Sequence, residues 1–233
     1  MNNKTLLIVG GSSSIGDFVI NKFDTNGYDV ISSFSSNKTN NDKVLKNIQL
    51  DLTSNTSIKL FIKELSEANK SINAVVFLSG VLPGKSLSEY SMEDINKVFS
   101  INIIGQIQLI SMLQPIKSRK VRILMMSSIS AQRGSFDPIY ASSKAAISGF
   151  TKSMMSTLPK DATINAIAPG LIEESAMFDE MTNERQDFHK NQIHSGKLLL
   201  GSDLADIIFD LCQDHWSHLN GACIDLNGGQ NVR

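Results

Sequence analysis

Cysteine is nearly absent from this chain. Cys212 and Cys223 are the only two among 233 residues, too few for a disulfide framework, which points to a reducing compartment. No excess of charge exists either: 22 lysines and arginines face 23 aspartates and glutamates, a net charge of −1. The overall field therefore offers no attraction to a phosphate backbone or an anionic lipid surface, and neither nucleic acid nor membrane is expected as a partner. Long apolar runs are missing as well. The stretches 6–9, 74–78 and 121–126, the last broken by Arg122, fall far short of the roughly 18 residues that span a bilayer. Met1-Asn2-Asn3-Lys4 leads directly into a strand-like Thr5-Leu6-Leu7-Ile8-Val9 without a cleavage site, so no secretory leader is read and a cytoplasmic location is expected. The glycosylation-like triplets at Asn3, Asn37, Asn55 and Asn69 are then chance matches.

What is present is a 41% apolar composition, enough for one sizeable core and a single domain over 1–233. Short apolar runs alternate with longer amphipathic stretches. Strands are expected near 5–9, 28–34, 47–50, 73–78, 121–127, 161–167 and 222–226, and helices near 15–26, 55–69, 91–114, 139–157 and 202–214. Ser91 and Asp94 read as a capping box and Pro115 as a stop. Valine- and isoleucine-rich runs without alternation are expected of strands covered on both faces. The fold class is therefore α/β: a Rossmann-type, doubly wound parallel sheet of about seven strands with helices on both faces. Residues 32–43, rich in Ser and Asn, read as a solvated loop. Residues 171–200 have no clear period and read as a mobile lid.

The chemistry-bearing motifs fall in a definite order. Gly10-Gly11-Ser12-Ser13-Ser14-Ile15-Gly16 links the first strand to the first helix, where small residues let a dinucleotide pyrophosphate approach backbone N–H groups. Alone, this is equally a tight turn. Tyr140-Ala141-Ser142-Ser143-Lys144 places a phenol and an amine at i and i+4 on one helix face. Ser127-Ser128 ends a strand, Asn102 sits in an isoleucine-rich helix, and Asn165-Ala166-Ile167-Ala168-Pro169-Gly170-Leu171-Ile172 follows. Together with the ending Asn227-Gly228-Gly229, the set resembles the short-chain dehydrogenase/reductase family over essentially the whole chain, with the nearest overall similarity to 3-oxoacyl-carrier-protein reductases.

The resemblance implies an NAD(P)H-dependent oxidoreductase that moves hydride between a nicotinamide and a carbonyl or secondary alcohol. Tyr140 matches the general acid/base. A phenol titrates near about 10, and Lys144 beside it would bring it closer to working pH. Lys144 would also hold the nicotinamide ribose. Ser128 matches the serine that bonds the reacting oxygen, although Ser127 satisfies the family's commonest spacing to the tyrosine. Asn102 matches the asparagine that supports a proton path.

For the cofactor, the resemblance points to Gly10, Ser12, Ser13, Ser14, Ile15 and Gly16 at the pyrophosphate. It places Asp51 and Leu52 at the adenine, Ser79 and Gly80 after the fourth strand, and Pro169, Gly170 and Ile172 beside the carboxamide, with Tyr140 and Lys144 at the ribose. Phe34 stands where an acid would grip an adenosine 2′-hydroxyl. Ser35, Ser36, Asn37 and Lys38 follow it and could accept a 2′-phosphate, so NADP(H) is favoured over NAD(H). Three departures are noted: Ser14 replaces a usual glycine, Phe77-Leu78-Ser79-Gly80 replaces Asn-Asn-Ala-Gly, and Glu174, next to Ser175, replaces a threonine that contacts the carboxamide.

A 3-oxoacyl thioester on a carrier protein is one expected substrate, with Arg133, Lys190 and Lys197 available to an acidic carrier. A homotetramer packed through 91–114, 139–157 and the C-terminal segment is also implied. The alternative is a non-catalytic dinucleotide-binding sensor, which would be expected to lose Tyr140 or Lys144. At 233 residues the chain leaves no room for the extra substrate domain of sugar-nucleotide epimerases. Cys212, His215, His218 and Cys223 offer zinc-type side chains at a spacing unlike a familiar finger, and no metal is expected.

Overall fold

The computed structural model describes residues 3–114 and 117–232. Seven parallel strands form one sheet: β1 (Lys4–Val9), β2 (Tyr28–Phe34), β3 (Val44–Gln49), β4 (Ile72–Phe77), β5 (Lys117–Met126), β6 (Thr163–Pro169) and β7 (Cys223–Leu226), in the order β3-β2-β1-β4-β5-β6-β7. The chain reverses direction across the sheet between β1 and β4, so a crevice opens at the carboxyl ends of these two strands, where open α/β sheets bind ligands.

Both faces of the sheet are covered, which explains the unalternated strands. In β1, Leu7 and Val9 pack beneath α2 (Asn55–Glu67), α4 (Gly105–Met112) and α6 (Pro138–Met154), with Phe61, Leu109 and Ile147 in that layer. Leu6 and Ile8 face α1 (Ser14–Thr25) and α9 (Gly201–Leu211), with Phe23, Leu204 and Ile208. No helix among the described residues is long and apolar enough to cross a membrane.

Local chemistry sets the helix starts near the crevice. Ser13 caps α1, its side chain accepting from Gly16 N at 3.1 Å. Asp137 caps α6 with Pro138 in the first turn. Ser91 and Asp94 form the expected capping box on α3 (Met92–Phe99).

Two expectations are corrected. The helix expected over 91–114 is interrupted: between α3 and α4 a π-helical turn covers Ser100–Ile104, with Asn102 at its centre. Gln106 Nε2 donates to Ile101 O across that wide turn at 3.2 Å. Gly105 is needed just after it, because a Cβ there would lie 2.2 Å from Leu52 O. Pro115, read as the stop, lies outside the described residues. Second, Ser32 and Ser33 are not loop residues but buried members of β2. Residues 171–200, expected as a lid, hold α7 (Ala176–Asp179), α8 (Asn183–Asn191) and a bridge between Ile172 and Leu199. Between β5 and α6, α5 (Ser130–Arg133) turns the chain. Arg122, which broke an apolar run, reaches out of β5 to Asp161 O (2.6 Å) and Asp214 (3.1 Å).

Candidate active site

Two cavities line the crevice. The first, about 300 Å³, is bordered by Gly10, Ser12, Ser13, Ser35, Asp51, Leu52, Ser79 and Gly80 together with Val9, Phe34, Leu50 and Ile101. Here the backbone is forced close. Gly10 has φ +86°, and a Cβ on it would lie 2.8 Å from Ser79 N, so the first strand's turn meets the β4 turn with no room for a side chain. Gly10 N also donates to Ser33 Oγ at 3.0 Å, the reason for a buried serine in β2. This cradle suits a dinucleotide's adenosine half, closed by backbone and small residues.

Not every expected cofactor residue borders it. Ile15 is buried against the sheet, and Gly16 packs the helix on the loop, since a Cβ there would lie 2.1 Å from Gly11 O. Ser14 opens α1, and Ser36 is exposed beyond the rim. Asp51 Oδ1 is already engaged by Thr53 N and Oγ1 at 2.8 and 2.7 Å, so it shapes the turn as well as the rim.

The second cavity, about 160 Å³, gathers Gly80, Ser127, Ser128, Tyr140, Lys144, Pro169, Gly170, Ile172 and Ser175. Tyr140 and Lys144 come from one face of α6, as their spacing requires, and both are buried. Ser128 and Ser127 divide. Ser127 Oγ donates to Lys144 O at 2.9 Å and so ties β5 to α6, whereas Ser128 shares the cavity with Tyr140 and accepts from Ser130 N at 3.1 Å. Lys144 Nζ donates to Met126 O at 2.7 Å and lies 5.9 Å from the Tyr140 ring centre.

Burial dominates the electrostatics. It pushes the Tyr140 phenol above its ordinary value; the Ser128 hydroxyl acts in the opposite sense, and the Asp137 charge adds to the rise. Burial also lowers Lys144 to about 8. The expected pull of Lys144 is not among the effects on the phenol; the ammonium is itself desolvated and turned to a backbone carbonyl. Burial thus favours the neutral form of the Tyr140 phenol.

Asn102 is fully buried behind this cavity. Its Oδ1 accepts from Val81 N (2.8 Å), and its Nδ2 donates to Val81 O (3.0 Å) and Ser143 Oγ (2.9 Å). Lys144 Nζ and Asn102 Oδ1 flank the same spot, 3.1 and 3.5 Å from where a side chain on Gly80 would begin. Glu174 faces away from the site, accepting from Gly201 N at 2.7 Å at the start of α9. Ser175 lines the cavity, its hydroxyl donating to Ile172 O at 2.7 Å and accepting from Phe178 N at 3.2 Å at the start of α7.

One structural group was not read in the sequence. Asp137 is buried, its Oδ1 accepting from Tyr140 N at 2.8 Å. Its Oδ2 accepts from Tyr90 Oη (2.7 Å), Gly84 N (3.0 Å) and Lys85 N (3.3 Å). The available signal was an Asp-Pro pair just before the tyrosine, the mark of a helix N-cap. Of the zinc-type side chains, Cys212 is buried and pushed up to about 12, and His215 pairs with Asp210 at 3.2 Å. Among the described residues no metal-holding group of His, Cys, Asp and Glu forms.

A family model described as enoyl-(acyl carrier protein) reductase matches residues 9–231. With the β3-β2-β1-β4-β5-β6-β7 sheet and the tyrosine–lysine face already located, that match decides the family. The chain belongs to the short-chain dehydrogenases/reductases. A 3-oxoacyl-[acyl-carrier-protein] reductase of Aquifex aeolicus is 27% identical over 243 residues, covering 98% of both chains. Among solved structures, a short-chain dehydrogenase/reductase from Brucella melitensis superposes at TM-score 0.91 with 23% identity, covering 100% of this chain and 98% of the other. A short-chain dehydrogenase from Burkholderia cenocepacia, solved with NADP, superposes at 0.88 with 21% identity over 98% of each. As a member of the short-chain dehydrogenases/reductases, the chain is an oxidoreductase that uses a nicotinamide cofactor.

Proposed function

We propose that residues 1–233 act as one domain that reduces a carbonyl with NADP(H), under a cover formed by 171–200. The observation that carries this reading is the buried Ser128–Tyr140 pair in one cavity with Lys144. When bound, the nicotinamide supplies the hydride. Tyr140, kept neutral by burial, gives its proton to the oxygen that gains charge, and Ser128 donates a hydrogen bond to the same oxygen. Lys144 and Tyr140 would hold the ribose, and Lys144 lies beside Asn102 on the path by which the phenol is reprotonated. Asn102 acts from outside the cavity, by fixing Val81 and Ser143. Phe34, at the end of β2 where an acid would stand, and Ser35 border the adenosine cradle. That opening supports NADP(H) over NAD(H), because a carboxylate there would repel a 2′-phosphate.

The name of the Aquifex relative makes a 3-oxoacyl thioester on an acidic carrier the first substrate to try. The absence of a membrane-crossing helix among the described residues agrees with a cytoplasmic reading. Ile104, exposed within 91–114, and Met155, exposed near the end of 139–157, the helices expected to pack in a homotetramer, support that assembly. Consumption of NADPH and of NADH, followed with 3-oxoacyl thioesters and a panel of simple ketones, tests the reading. Turnover with a preference for NADPH is expected; binding of either cofactor without turnover of any carbonyl would overturn it.

A further inference from the structure

A third cavity, about 390 Å³, opens directly in front of Ser128 and Tyr140, and its outer wall is cationic. Arg133 ends α5, while Arg185 and His189, at i and i+4, share one face of α8. Among the described residues neither guanidinium has a carboxylate within ion-pair distance. Arg133 is instead aimed by an amide: its Nη1 donates to Gln192 Oε1 at 2.9 Å, which also accepts from Gln230 Nε2 at 3.2 Å. Most guanidinium N–H groups therefore remain free to serve a ligand. Arg185 also borders the adjoining cavity, whose lining includes the acids Asp94, Asp137 and Glu180. Asp94 is held by Lys85 at 2.9 Å. His189 is lowered by burial and by the charges of Arg133 and Arg185, a sign that all three feel one positive field. The same cavity is also lined by the apolar Leu82, Met177 and Met181.

We propose that this cavity takes a compact carbonyl compound bearing a carboxylate, an oxo acid, its acid group on Arg133 and Arg185 and its carbonyl at Ser128 and Tyr140. The inference rests on the reductase reading and narrows its substrate class. Planar guanidiniums pair with carboxylates through two parallel hydrogen bonds, and a cavity of this size, at the small end of the ligand-pocket range, suits a compact molecule. An apolar spacer between carbonyl and acid suits the Leu82, Met177 and Met181 side chains of the same lining.

The test uses 5-oxohexanoate and 6-oxoheptanoate against their methyl esters, with the NADPH-loaded full chain. The acid-to-ester ratio of kcat/KM is expected to be about tenfold or more, as charge-assisted hydrogen bonds allow. It should fall toward one in the Arg133→Gln/Arg185→Gln double variant and recover in part in Arg185→Lys. Both arginines are exposed, so the variants are expected to fold. Calorimetric titration of the same acids and esters decides the matter where neither is turned over: preferential acid binding, lost in the double variant, supports the proposal. A ratio at or below one, or a preference that survives the double substitution, overturns it. The reductase reading is scored separately with 2,3-butanedione. Its reduction without any acid preference sinks the oxo-acid inference alone, and no reduction of any carbonyl sinks the reading beneath it.

Discussion

On the floor of the proposed substrate cleft the polar side chains are buried and tied to backbone, whereas on its proposed roof they are exposed and loosely tied. Ser127, Asp137, Ser143 and Lys144 are each no more than 4% exposed, and each is bound across elements or to its own helix. The roof is α7 and α8. Phe178 is the only buried residue of α7, and α8 has none; Phe188 is 58% exposed. A proton donor has to sit within tenths of an ångström of its target, so it is mounted on rigid elements with supporting partners. Recognition tolerates adjustment, and segments with few buried contacts open at little cost in free energy.

The sharpest way to break this contrast is to exchange the roles of two floor serines. Ser128→Ala is expected to lower kcat by about 10²–10³-fold, the loss seen when one donor to a developing oxyanion is removed. Ser127→Ala, which frees only a bond to Lys144 O, should cost about tenfold or less. Steady-state kinetics of both variants decide it, and the reverse order would hand the role to Ser127.

Asp137→Ala should be the most destabilising floor change. It removes an N-cap worth about 1 kcal/mol and leaves Gly84 N, Lys85 N and the Tyr90 hydroxyl without their acceptor, for a total on the order of 3 kcal/mol. Urea unfolding measures it, and a change below about 1 kcal/mol would show that the turn at 84–90 is not held from α6.

Lys144 allows the opposite sign. Its folded value of about 8 lies below the ordinary lysine value near 10.4, so the unfolded chain binds the extra proton between these two pH values. The folded protein therefore carries a penalty that is full below pH 8 and fades as pH rises toward the unfolded value. Lys144→Met should abolish turnover yet raise stability at pH 7 by on the order of 1–3 kcal/mol. The gain should shrink above pH 8. Thermal unfolding across pH 6–10 checks it, and a gain that grows with pH contradicts the sign. On the roof, Phe188→Ala should move stability by less than about 0.5 kcal/mol, with its effect confined to KM.

Much of this contrast could be read from the residues. The floor motifs are local in sequence: a strand end, an i, i+4 pair and a glycine turn each bring their own geometry, and the apolar runs placed all seven strands near their positions. What escaped depends on distance. Asp137 joins residues 47 to 53 positions away, and Glu174 caps a helix start 27 positions on. Neither partnership leaves a local trace. The π turn at Asn102 escaped because the apolar pattern of 91–114 continues through it, and only the approach of Leu52 O to Gly105 shows why the helix must widen. In 171–200, helices of four and nine residues resting half-exposed on the cleft carry too few buried positions to show a period.

The central claim is that the Tyr140 phenol, held neutral by burial, donates the proton in carbonyl reduction. Tyr140→Phe keeps the ring and removes only the hydroxyl. NADPH oxidation by this variant should fall by about 10²–10⁴-fold, the share general acid catalysis supplies, while NADPH still binds by fluorescence titration. Near-normal turnover in Tyr140→Phe would contradict the account.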